Sequence, residues 1–154
     1  MIARNRISHP RGVPRVVGEG RKDAEGIGID SGRGNLVAHN VVIHAGTIGI
    51  RLGIQRFPVG SDNTVVRRNR VRGSGNDGFV VNEKDHHSLL KRNVATGAGD
   101  DGFDIESRTA KLTKNRAVRN HDLGIEAVRR VIDGGGNKAS GNGDPRQCTH
   151  VVCR

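Results

Sequence analysis

Acidic residues cluster in the middle of the chain: Asp77, the pair Asp100-Asp101, Asp104, Asp122 and Glu126, with His121 beside Asp122. Neighbouring carboxylates repel and raise one another's pKa, which is how one residue type supplies both an acid and a base. Glycoside hydrolysis needs two carboxyl groups, about 5–5.5 Å apart for retention and about 6.5–9.5 Å for inversion. Asp77, Asp100, Asp101 and His121 form the candidate catalytic set. Asp100, Asp101 and Asp104 are the candidate metal ligands, and calcium is the cation that such oxygen donors would hold. No other cofactor is expected. The competing expectation is that Gly-Asp-Asp-Gly is a hydrated turn without catalysis.

These residues act together only if the fold stacks positions some two dozen apart. A repeat in the chain predicts that it does. Asn40, Asn69, Asn93 and Asn115 are each followed nine residues later by a glycine: Gly49, Gly78, Gly102 and Gly124. Each glycine precedes an apolar–any–apolar triplet, Ile50-Leu52, Phe79-Val81, Phe103-Ile105 and Ile125-Ala127, which is strand periodicity. Val37, Val66, Leu90 and Leu112 fall three residues before the asparagine, and Ile7, Val42, Val71, Ala95 and Ala117 two after it. The asparagine intervals of 29, 24 and 22 residues lie in the range of stacked repeat units. Each unit reads as about three short strands separated by bends, and no stretch has helical apolar spacing.

The expected fold is all-β: a single-stranded parallel β-helix of five to six coils, approximately 1–34, 35–62, 63–87, 88–109 and 110–136, with 137–154 as a short C-terminal cap. Asn5, Asn40, Asn69, Asn93, Asn115 and Asn142 are expected to stack as an internal ladder. Counting from Gly28, the glycine-to-asparagine gaps are 12, 20, 15, 13 and 18 residues. Length variation, including the loop Ile54–Gly60 with Phe57, therefore falls on one side. In this stacking Asp77, Asp100, Asp101, His121 and Asp122 converge on one edge, with Asp104 and Glu126 on the adjoining strand.

The chain resembles the superfamily of right-handed parallel β-helix repeat proteins, which includes pectate lyases and polygalacturonases. The resemblance covers nearly the whole chain and rests on units such as Asn93–Ile105. Polygalacturonases carry, in order, an aspartate after Asn-Thr, an Asp-Asp pair, a histidine between glycines and Arg-Ile-Lys. This chain offers Asn76-Asp77, Asp100-Asp101, His121 and Arg129-Arg130, without the threonine, the flanking glycines or the final lysine. A lyase is the other activity the resemblance implies, with calcium on a uronate and Arg108 or Arg129 taking the proton.

Net charge is +10. The residue before each asparagine is Arg4, His39, Arg68, Arg92 and Lys114, failing at Gly141, so stacking predicts a cationic ribbon that attracts polyanions. Arg68, Arg92, Lys114 and Arg129 are the candidate substrate-binding residues, and acidic polysaccharide is the expected partner. A solvated basic surface is the plainer reading of the same charges. Nucleic acid fits the charge, but there is no Trp or Tyr to stack a base, and Phe79 and Phe103 belong to an inward column.

Two segments, Gly73–Gly78 and Gly97–Gly102, match the dinucleotide pattern GxGxxG, but both lead into strands and read as repeat turns. Asp85-His86-His87 offers metal-binding residue types in a variable loop, but a solvated loop is the plainer reading, and His39, His44, His9 and His150 are not expected to face one site. Cys148 and Cys153, the two cysteines present, suggest a disulfide pinning the cap and an oxidising, extracellular or cell-surface location. Zinc is the rival, but four ligands of zinc spacing are missing. No secretory signal or transmembrane run is read in the chain. Residue 1 falls inside a unit, so either an N-terminally truncated fragment or a reading frame begun late is expected, with self-association through the uncapped coil as a hazard.

Overall fold

A computed structural model describes residues 1–8, 25–54 and 60–154. His9, Phe57 and most of the expected Ile54–Gly60 loop lie outside the described residues. The described chain has no helix and winds through three parallel sheets. The first sheet stacks Ile2–Ala3, Leu36–Ala38, Val65–Arg67, Leu89–Lys91, Lys111–Thr113 and Ile132–Asp133. The second stacks Arg6–Ser8, Val41–Ile43, Arg70–Arg72, Val94–Thr96, Arg116–Val118 and Lys138–Ser140. The third stacks Ile27–Ile29, Ile50–Leu52, Phe79–Val81, Phe103–Ile105 and Ile125–Ala127. A two-stranded ribbon, Gly32–Arg33 with Ser61–Asp62, joins the corner after the third sheet. The architecture is an all-β, single-stranded parallel β-helix.

The apolar columns fill its interior. Val37, Val66, Leu90 and Leu112 project from the first sheet, Val42, Val71, Ala95 and Ala117 from the second, and all are buried. From the third come Ile50, Phe79, Phe103 and Ile125, with Phe79 and Phe103 stacked at 4.6 Å between ring centroids. The register glycines stand where coils approach most closely. A β-carbon on Gly78 would lie 2.5 Å from the carbonyl oxygen of Gly102 and 2.8 Å from the Ala95 methyl. In the first coil this position belongs to Gly26 and not to Gly28, which pairs with Arg51 on the third sheet.

The asparagine ladder runs along the corner between the first and second sheets. Asn93 accepts at Oδ1 from both the backbone N–H (3.0 Å) and the side-chain amide (3.1 Å) of Asn69. Its own Nδ2 donates to Asn115 Oδ1 (3.2 Å) and to the Val66 carbonyl (2.9 Å). The same pattern links Asn5, Asn40, Asn69, Asn93, Asn115 and Asn137. The last rung is therefore Asn137, not Asn142. Asn142 belongs to a second ladder, on the corner after the second sheet. There it accepts from the backbone N–H (3.0 Å) and side-chain amide (2.9 Å) of Asn120, whose Oδ1 accepts from the Ala98 N–H (3.0 Å). The two terminal rungs meet acceptors of other kinds: Asn137 donates to Asp133, and Asn142 to Gln147.

A disulfide joins Cys148 to Cys153. Cys148 forms an isolated bridge with Ile125, and Cys153 with Asn137, so the linked segment lies across the final coil.

Substituting Asn93 with alanine strands the Asn69 N–H and the Val66 carbonyl in the interior. At about 1–3 kcal/mol for each buried unsatisfied group, the expected loss is roughly 3 kcal/mol. Thermal unfolding followed by circular dichroism is expected to fall by roughly 10 °C, and a shift within 1–2 °C would refute the ladder's energetic role.

Candidate functional site

The corner after the second sheet is built from turns rich in glycine and aspartate. Its backbone is held by bonds between coils: Asp100 N–H to the Asn76 carbonyl (3.3 Å), Asp122 N–H to Asp100 (3.1 Å) and Asp144 N–H to Asp122 (3.0 Å). Asn76, Asp100, Asp122 and Asp144 thus form one column. Asp77 and Asp101 form the next, with their side chains turned into the corner. Asp77 Oδ1 accepts from the Asp101 N–H (3.1 Å), and Asp101 Oδ1 from the Leu123 N–H (2.7 Å). Asp77 and Asp101 are only 5% and 4% exposed, so these carboxyls also serve as structural acceptors. On the outer face of the third sheet Asp104 pairs with Glu126 in register.

Burial is the main cause of the raised pKa values here. Asp77 is pushed up to about 6 by burial and by the charges of Asp100 and Glu126, against the opposing Asp101 N–H. Asp101 is pushed up to about 8 by burial, against the Leu123 N–H, and by a hydrogen bond with the Glu126 carboxyl. Asp104 rises to about 7 through burial and the charges of Asp77, Glu106, Glu126 and Asp100. At neutral pH the corner therefore holds protonated and ionised carboxyls side by side.

Of the sequence-derived candidates, Asp77, Asp100 and Asp101 come together. His121 lies on the same corner, exposed, and its ring forms no hydrogen bond among the described residues. Carboxylate oxygens of Asp100, Asp101 and Asp122 lie within 4.8 Å of one another; Asp104 is outside that group. Asp122 thus stands where the sequence reading put Asp104, and its place in the Asn76–Asp100 column was the available signal.

Arg68, Arg92 and Lys114 line the first corner in register, exposed, each beside a ladder asparagine. All three adopt left-handed backbone conformations, with φ of 53°, 55° and 54°, as do Arg4 and His39. A non-glycine residue there costs about 1 kcal/mol, a cost that the ladder bonds beside each residue offset. Arg129 does not join this ribbon. It lies on the opposite corner, between the third and first sheets, as does Arg108. That corner also corrects the reading of Asp85. Asp85 is fully buried, accepting at Oδ1 from the backbone N–H and hydroxyl of Ser61, and burial raises its pKa.

A family model described as periplasmic copper-binding protein (NosD) matches residues 4–142. The chain belongs to this family. No curated protein and no solved structure matches it. The NosD family and the disulfide fit a periplasmic or extracellular location. Among the described residues no helix is long and apolar enough to cross a membrane. Copper chemistry favours thiolate, thioether and imidazole donors. Here both cysteines are oxidised, Met1 is the single methionine, and no histidine joins a group of three close donors among the described residues. The one such group, Asp100-Asp101-Asp122, offers oxygen alone, a donor set for hard cations such as calcium. The described side chains do not fit the copper of the family's description.

Raised carboxyl pKa values fix the sign of a pH effect. The native state keeps protons on Asp77, Asp104 and Asp101 that the unfolded chain has released, so stability is fullest below about pH 4 for these groups and falls as pH rises through about 6, 7 and 8. Asp101→Asn is expected to flatten the fall in melting temperature between pH 5 and 9. An unchanged slope would show that Asp101 does not titrate in this window.

Proposed function

We propose that this NosD-family β-helix binds acidic polysaccharide along its first corner and the adjoining second sheet. One observation carries the reading: Arg68, Arg92 and Lys114 repeat in register at the spacing of adjacent rungs, roughly 4.8 Å. They are exposed, and no acidic side chain pairs with them among the described residues. Arg70, Arg72, Arg116 and Arg119 extend the same unneutralised charge over the second sheet. Such a surface attracts an extended polyanion by long-range attraction and holds it by charge-assisted hydrogen bonds.

The test is retention on polygalacturonate resin across a salt series. Binding is expected to weaken steadily with salt. Replacing Arg68, Arg92 and Lys114 together with glutamine is expected to lower the salt slope by up to about three, one for each lost contact. Retention indifferent to both salt and the triple substitution would sink the electrostatic account.

A second reading is a polysaccharide hydrolase or lyase centred on Asp77, Asp100, Asp101 and His121. The carboxyl of Asp101, protonated at neutral pH next to ionisable Asp100, favours it as a general acid. Calcium on Asp100, Asp101 and Asp122 would neutralise a uronate carboxylate in the lyase version. Polygalacturonate and alginate, incubated with and without calcium, are assayed for reducing ends and for absorbance of unsaturated products. Activity lost in Asp101→Asn supports an enzyme, and inactivity of the folded protein across a broad uronan panel removes this reading.

A further inference from the structure

The outer face of the second sheet has a pattern that the corner ribbon lacks. The first outward position of its six strands reads Arg6, Val41, Arg70, Val94, Arg116 and Lys138, in continuous register. Cation and valine alternate through five successive rungs. Around Val94 this alternation makes an open groove of about 500 Å³. Its floor is Val94 and Thr96. Arg70 and Arg72 rise on one side, Arg116 and Arg119 on the other.

Arg119 is held there at a backbone cost. Its φ is +54°, while the equivalent corner positions of the two flanking coils are Gly97 and Gly141, which take this conformation freely. None of the four arginines forms an ion pair among the described residues. The groove therefore presents two clusters of guanidinium groups, two rungs or roughly 10 Å apart, across a neutral and partly apolar rung.

We infer that this groove selects a glycan carrying an anionic group on every second sugar. This rests on the polyanion reading above and narrows its ligand. Guanidinium forks bind carboxylate or sulfate oxygens in pairs. Anionic groups spaced by two sugars fall on the Arg70 and Arg116 rungs, and the uncharged sugar between them lies over Val94 and Thr96. A polymer charged on every sugar places a third carboxylate over Val94. That group loses water against an apolar surface and gains no cation from the strand beneath it, the Arg92 of that coil standing on the first corner. The corner ribbon, with Arg68, Arg92 and Lys114 on three successive rungs, supplies attraction without this discrimination.

The test compares two oligosaccharides of equal length by calorimetry at fixed salt. One alternates uronate with N-acetylhexosamine; the other is oligogalacturonate. The alternating chain is expected to bind about tenfold tighter although it carries half the charge, a factor that one charge-assisted hydrogen bond supplies. Val94→Arg, at a half-buried outward strand position, is expected to reverse the preference. Arg116→Gln is expected to abolish it while leaving weak binding to both. Equal or tighter binding of oligogalacturonate by the unmodified protein overturns this inference and leaves the polyanion reading standing. Binding of neither at low salt overturns both. A preference that survives Val94→Arg with the fold intact shows that the alternation is not its cause.

Discussion

The repeated height of the described coils is set by the asparagine ladder on the first corner. A three-sided coil of strands only two or three residues long has little sheet per rung, and its corners would otherwise leave backbone groups unpaired in the interior. Each ladder amide spends its acceptor on the two N–H donors of the preceding rung and its donors on the next rung and a strand carbonyl. The corner then has one geometry, and the residues before and after the asparagine project outward at a repeated height. The ordered cations and the alternation on the second sheet both inherit that height.

The second corner solves the same problem with a mixed set of groups. Asn120 and Asn142 continue an amide ladder there, while Asp77 and Asp101 accept N–H bonds from the rung after each of them. A carboxyl used as a buried acceptor is a less settled part than an amide, because it can lose a proton. The acidic corner therefore joins architecture and chemistry in the same side chains. Substitutions there change both, which is why the isosteric Asp101→Asn is informative where alanine is not.

Much of this was legible in the chain because strand periodicity and the nine-residue interval point to the same coil. The columns of Val66, Leu90, Phe79 and Phe103 followed directly, as did the meeting of Asp77 with Asp101. The interval failed at the last coil. No glycine stands nine residues after either Asn137 or Asn142, so the interval does not choose between them, and Asn142 serves the other corner. The left-handed cations were not legible, since arginine carries no local signal for that conformation and adopts it only because the ladder imposes it. Asp85 looked solvated in a polar loop; its burial comes from a bond to Ser61 one coil earlier, which local composition does not reveal. The donor mismatch with copper is also beyond the sequence reading, which points to calcium at the aspartates, weighs zinc at the cysteines and names no particular metal for Asp85-His86-His87.

Charge is segregated across the coil's cross-section. Arg68, Arg92, Lys114 and the second-sheet arginines occupy one flank, whereas Asp104 and Glu126 face out from the third sheet, across the prism from the first corner. The rod thus has a transverse electrical moment superimposed on its net positive charge. Close to an anionic envelope or gel, torque rolls the rod about its long axis until the arginine flank faces inward. The third-sheet carboxyls of Asp104 and Glu126 then turn outward, and the protein arrives already oriented before any sugar is touched.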